Sequence, residues 1–264
     1  MKIQFIGVGS AFTLTNYQSN LLVESESGKK LLVDCGSDAR FALRELNVSH
    51  CEIDSIYISH LHADHVGGLE WIGFATKFDP SCPKPHLYIS RYLKNELWSN
   101  VLSGGMLSLQ GEVADLDTYF EVHSIPKNGK FSWEDIDFQL IQTVHIMDGF
   151  SIVPSFGLIF AAHDIRTFLT TDTQFAPEQL KDFYEMADII FHDCETAPFE
   201  SGVHAHYAKL RTLPDKFKQK MWLYHYHDGA LPDARADGFR GFVNKGQVFD
   251  YAHPASLRGK SPED

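Results

Sequence analysis

Short apolar or alternating runs dominate the first third of the chain. Positions 2–6, 21–24 and 31–34 read as strands. Gly7-Val-Gly9-Ser10 and Ser25-Glu-Ser-Gly-Lys29 separate them as turns. Positions 38–46 carry Phe41, Ala42 and Leu46 at helical spacing, and 70–78 resumes that pattern after a predicted strand at 53–59. Further strands are predicted at 86–90, 136–143, 156–162, 167–171, 189–192 and 222–226. Helices are predicted at 92–98 and at 177–186, the latter with proline in its first turn. Strand sets in both halves, with helices interleaved, predict two sheets sandwiched between helices. Histidines and aspartates gather where strands stop, the place at which a rigid scaffold presents loop residues.

Composition narrows the picture. The 264 residues are 44% hydrophobic and 22% charged, as in an ordinary globular protein. No repeat, low-complexity tract or linker interrupts them, which predicts a single domain over 1–264, with only the tail 258–264 loose. No apolar stretch reaches the roughly 18 residues of a membrane span, and no signal-peptide core is expected at the N-terminus. Lys plus Arg number 23 against 35 Asp plus Glu, a net charge of -12 that opposes bulk nucleic-acid binding. Cys35, Cys51, Cys82 and Cys194 lie far apart with no CxxC pair, so the cysteines are expected to be reduced and the protein cytoplasmic.

Histidine, at 14, is the unusual count. In Ser59-His-Leu-His-Ala-Asp-His65, three histidines and an aspartate fall within six residues at the end of a predicted strand. Imidazole nitrogen and carboxylate oxygen suit zinc and similar divalent ions. Alternation sends His60 and His62 to one side, while Asp64 and His65 sit at the turn into the next helix. One loop can therefore serve two ions about 3.5–4 Å apart, which could share a hydroxide. His145, Asp172 and either His225 or His227 stand at later strand ends and can complete the set.

These motifs, in this order, resemble the metallo-β-lactamase superfamily and its ribonuclease Z-like phosphodiesterase branch. The resemblance runs from Phe5-Ile-Gly-Val-Gly-Ser-Ala11 through Leu32-Val-Asp-Cys-Gly36 and the HxHxDH element to Thr171-Asp172-Thr173 and Leu223-Tyr-His225. It implies an α/β fold, the αββα four-layer sandwich. It implies one metal on His60, His62 and His145, another on Asp64, His65 and His225, and Asp172 bridging. His225 is preferred to His227 because the branch places its ligand on the preceding strand. Asp64 is expected among the catalytic residues as well. The branch also carries a late histidine that protonates the leaving group. His204 and His206 of Val203-His-Ala-His-Tyr207 both qualify, and Asp193 matches the acidic residue that orients it.

A histidine acid suits a leaving alkoxide better than a thiolate. That points to a phosphodiesterase with two divalent ions, zinc before manganese or iron, acting through a metal-bridging hydroxide. An acyl hydrolase of glyoxalase or lactonase type is the alternative. The tRNA-processing members carry a long arm between the third and fourth motifs. Here those motifs are only 27 positions apart (172 − 145), so tRNA is not expected and a small diester such as a cyclic nucleotide is. Homodimers are usual in the branch. Positions 97–133, with Tyr119, Phe120, Phe131 and Trp133, could form a lid or dimer contact or simply core.

Overall fold

Both predicted sheets form, each with seven strands. The coordinates are a computed structural model that describes residues 1–253, 255 and 257. The tail expected to be loose at 258–264 lies outside the described residues.

From edge to edge, the first sheet runs Val248–Asp250, Lys2–Gly7, Asn20–Glu24, Lys30–Val33, Ile53–Ile58, His86–Ser90, Glu121–Ile125. Its first three pairings are antiparallel and its last three parallel. The second sheet runs Lys130–Trp133, Ile136–Met147, Ile152–Ala162, Ile165–Leu169, Ile189–Asp193, Met221–Tyr224, Gly241–Phe242, and repeats that plan. Open sheets hold ligands outside the carboxyl ends of their parallel strands. Asp34, Ser59, Thr170, Asp193 and His225 stand at or just beyond those ends.

Aromatic side chains lock the sheets face to face. Phe5 of the first packs on Phe191 of the second at 5.0 Å, and Tyr57 stacks on Phe131 at 5.6 Å. The Tyr57 hydroxyl donates to the Phe156 carbonyl at 2.6 Å, which satisfies its buried polar atom. Outer helices cover the other faces, Ala39–Glu45 and Leu69–Phe78 on one side and Pro177–Met186 on the other. The resulting four layers are an αββα sandwich.

The structure alters four details of the sequence reading. Helix Ala39–Glu45 buries Ala39, Ala42 and Leu43, while Phe41 is turned outward beneath Arg40. The helix expected at 92–98 runs over Arg91–Glu96 and continues as a wider π turn at Leu97–Leu102. Tyr119, Phe120, Phe131 and Trp133 are buried in the core, so they are not free to stack on a ligand or partner. Cys35 and Cys194 are free and buried, but Cys51 and Cys82 are joined in a disulfide, with Cα atoms 4.7 Å apart. The 31-residue separation hid that pair, because a strand and a helix carry the chain out and back between them.

Candidate active site

Three overlapping groups of donor atoms meet at the edge where the parallel strands of both sheets end, two of them built on the HxHxDH element and the third joining Asp172 and His225 to Asp193 and His204. The first comprises His60, His62, His145 and Asp172. His60 Nε2 and His145 Nε2 each lie 3.1 Å from His62 Nδ1. The second comprises Asp64, His65, Asp172 and His225. His65 Nε2 is 3.2 Å and His225 Nε2 3.5 Å from Asp64 Oδ2. Asp172 belongs to both. Its Oδ2 lies 3.3 Å from His65, 3.5 Å from His225, 3.6 Å from His60 and 3.7 Å from His145.

Local structure explains the convergence. His62 ends the extended segment and N-caps the turn Ala63–Val66, whose first residues include Asp64 and His65. His145 lies in Ile136–Met147, at a register shift between Val144 and Ile146. The strand expected to contain His225 stops at Tyr224, and His225 takes a left-handed φ of 66°. Asp34 at 61° and Thr171 at 52° share that disfavoured conformation. Such backbone strain persists only where the surrounding structure over-determines it, and it clusters at functional sites.

A supporting layer sets the rings. Asp34 accepts hydrogen bonds from the Ser59 backbone N–H at 2.8 Å and the Ser59 hydroxyl at 2.7 Å. His65 Nδ1 donates to the same carboxylate at 2.7 Å, which leaves Nε2 facing inward. His60 Nδ1 faces the Ser59 hydroxyl oxygen at 3.1 Å, so Asp34 steadies both donor groups. His145 Nδ1 donates to the Val203 carbonyl at 2.9 Å. The sequence reading missed this role of Asp34, although it sits inside the quoted segment Leu32-Val-Asp-Cys-Gly36 and directly follows a strand.

Gly36 explains how the two loops fit. A Cβ there would stand 2.2 Å from the Asp64 carbonyl oxygen, closer than atoms approach. Gly36→Ala should therefore push away the turn bearing Asp64 and His65 and weaken divalent-ion affinity by about tenfold or more. Metal titration would check this against Gly104→Ala, whose added Cβ meets nothing within 4 Å.

The buried chemistry fits cations. Burial pushes the imidazoles of His60, His62 and His145 down, so they stay neutral, the form in which histidine ligates metal. Burial opposes ionisation of Asp172, yet His225, His65 and His60 hold its carboxyl well below the usual range. Both Asp172 oxygens, His65 Nε2 and both His225 ring nitrogens have no hydrogen-bond partner among the described residues. A buried carboxylate left so is costly unless something else occupies its lone pairs. Two divalent cations, one in each of the first two donor sets, would do so.

The two late histidines separate. His204 Nδ1 lies 2.8 Å from Asp193 Oδ2, and its ring stacks on His225 at 4.6 Å. Burial alone would discharge it, but Asp193 outweighs that and raises its pKa to about 9. Bound cations would draw it back down. His206 instead caps the turn Tyr207–Leu210: its Nδ1 accepts from the Ala208 N–H, and its Nε2 donates to the Ala197 carbonyl at 2.9 Å. Both its nitrogens are thus committed to holding a loop. His227 lies in none of these donor groups.

Comparison with known proteins identifies the family. Residues 1–249 match the family described as "Anti-Pycsar protein Apyc1". A protein of that description from Paenibacillus harenae is 37% identical over 234 residues, covering 86% of this chain and 90% of its own. One from Bacillus phage vB_BveM-Goe7 is 32% identical over 257 residues, covering 93% and 96%. Among solved structures, the metallo-β-lactamase fold protein YhfI from Bacillus subtilis superposes with a TM-score of 0.71 at 18% identity, covering 94% and 98%. A diphosphatase of the PhnP family gives 0.71 at 17%, covering 94% and 97%, and the short form of human tRNase Z 0.67 at 18%, covering 95% and 99%. The chain therefore belongs to the Apyc1 family and has the metallo-β-lactamase fold.

Proposed function

We propose that this chain, acting as one domain over 1–264, opens the ring of a cyclic mononucleotide by hydrolysis. In this reading His60, His62 and His145 hold one divalent ion, Asp64, His65 and His225 hold a second, and Asp172 bridges. The observation that carries it is Asp172 Oδ2, placed within 3.7 Å of imidazole nitrogens from both donor groups. Zinc suits these nitrogen and oxygen donors, with manganese and iron as alternatives. When bound, a pair of such ions polarises a phosphoryl oxygen and lowers the pKa of water toward about 7.

The chain's own residues supply the rest. Asp193 holds His204 Nδ1, which leaves Nε2 for the substrate. The imidazolium hands its proton to the departing ribose oxygen, whose alkoxide is too basic to leave unassisted. Asp193 stabilises the charged ring before transfer, as the carboxylate of a catalytic triad does. Asp64 serves from its buried position at the second donor group.

Topology supports a small substrate. Strands Ile152–Ala162 and Ile165–Leu169 occupy the interval between His145 and Asp172, leaving no arm to grip tRNA. No described helix is long and apolar enough to cross a membrane. We assign the protein to the cytoplasm, where nucleotides are found, as a homodimer. Phe12, Phe150 and Phe199 are exposed on loops and would suit such a contact.

The test is a substrate panel of cyclic CMP, cyclic UMP, cyclic AMP, bis(p-nitrophenyl) phosphate, a thioester and a precursor tRNA. Hydrolysis of cyclic nucleotides, abolished by a chelator and restored by Zn²⁺ or Mn²⁺, is expected. Turnover of the thioester alone would overturn the reading in favour of acyl chemistry.

A further inference from the structure

A second set of metal-type donors lies at the opposite end of the first sheet. His50, Cys51, Asp79 and Cys82 offer ligand atoms within 4.8 Å of one another. His50 and Cys51 stand in the turn just before Ile53–Ile58, whose far end leads to His60. Six strand residues at about 3.3 Å each put roughly 20 Å between this cluster and the active site. It therefore shares no donor with the catalytic groups.

The separations around Asp79 suit a tetrahedral centre once the two sulfurs part. Zinc bonds of about 2.0–2.3 Å hold neighbouring donors roughly 3.3–3.8 Å apart. Asp79 Oδ2 lies 3.7 Å from His50 Nε2 and 3.7 Å from Cys51 Sγ. The other oxygen, Oδ1, accepts from the Ser81 backbone N–H at 2.9 Å and its hydroxyl at 2.6 Å. One oxygen is anchored and the other is presented to the cluster, which is how a second shell orients a monodentate carboxylate. The capping box of Ser49 and Glu52 fixes the turn that carries His50 and Cys51. Two sulfurs, an imidazole and a carboxylate are a zinc donor set and complete four-fold coordination.

We propose that Cys51, Cys82, His50 and Asp79 form a structural zinc site when the two cysteines are reduced. The disulfide and the metal are alternative states of one pair. Two equivalents of a small thiol reduce the Cys51–Cys82 bond, giving two protein thiols and one disulfide of the reductant. Zinc then displaces the two thiol protons and binds both sulfurs. The metal would fasten the start of Ile53–Ile58 to the end of Leu69–Phe78, the helix that follows the HxHxDH turn.

Cobalt titration tests this, because Co²⁺ develops a thiolate charge-transfer band only on sulfur ligands. The full chain would be reduced with a small thiol, desalted under nitrogen and titrated. One equivalent of the band is expected, with three zinc ions per chain by elemental analysis of zinc-loaded protein. Cys82→Ser should abolish the band and lower zinc to two. His50→Gln, which leaves both cysteines able to pair, should weaken cobalt binding at least about tenfold. Reduced protein with both thiols free but no band, a band unchanged in Cys82→Ser, or a bond that survives the reductant would each overturn the proposal. Failure of the active-site reading would look different, since only the two sulfur-free ions would then be missing.

Discussion

Asp172→Asn should strip the active site of both cations and lower cyclic-nucleotide turnover by at least about 10³-fold. The substitution keeps the side chain's shape and removes only the charge that both donor groups share. Two-metal stabilisation of a transition state is worth several kcal/mol, and each 1.36 kcal/mol is tenfold in rate. The fold should survive, because neither Asp172 oxygen carries a hydrogen bond from the described residues. Elemental analysis, turnover and a far-UV spectrum on one preparation would check all three. Retention of both cations with turnover within tenfold of the parent would contradict the bridging role.

His204→Ala should slow hydrolysis of a cyclic nucleotide by about 10²–10⁴-fold, the range of a lost general acid. Against bis(p-nitrophenyl) phosphate the loss should be several-fold at most, because p-nitrophenolate departs without a proton. His206→Ala should leave that leaving-group dependence untouched. Its ring bonds to Ala197 and Ala208, so its loss should show in the thermal stability of the loop instead. Equal slowing of both substrates by His204→Ala would remove the residue from the acid role and recast it as a binding group.

Much of this site is legible in the sequence because its densest part is local. His60, His62, Asp64 and His65 fall in one strand-to-helix turn, where spacing alone brings them together. Asp172 and His225 are readable because they follow parallel strands whose carboxyl ends share one edge, whereas His145 lies inside the antiparallel strand Ile136–Met147, which runs past its predicted end at 143. What was not legible depends on contacts across the fold. Asp34 acquires its role from a hydrogen bond to His65, 31 positions away. The choice between His204 and His206 turns on which side of a short turn faces the cluster, and an i, i+2 spacing leaves that open. Phe41 shows the same limit, because a helical stripe does not reveal which of its apolar residues overhangs the edge of the core.

Each donor group built on the HxHxDH element draws on both halves of the sandwich. His60 and His62 follow a strand of the first sheet and meet His145 and Asp172 of the second. Asp64 and His65 meet Asp172 and His225 in the same way. Cations bound there rivet the halves together at one rim, and an unfolded chain has no such rivet. Binding confined to the native state stabilises it by about 2.7 kcal/mol at a hundredfold excess over Kd and about 4.1 kcal/mol at a thousandfold. A chelating buffer should then act as a mild denaturant for this protein. In a cell, the supply of free metal would govern not only how fast the enzyme works but how long it escapes proteolysis.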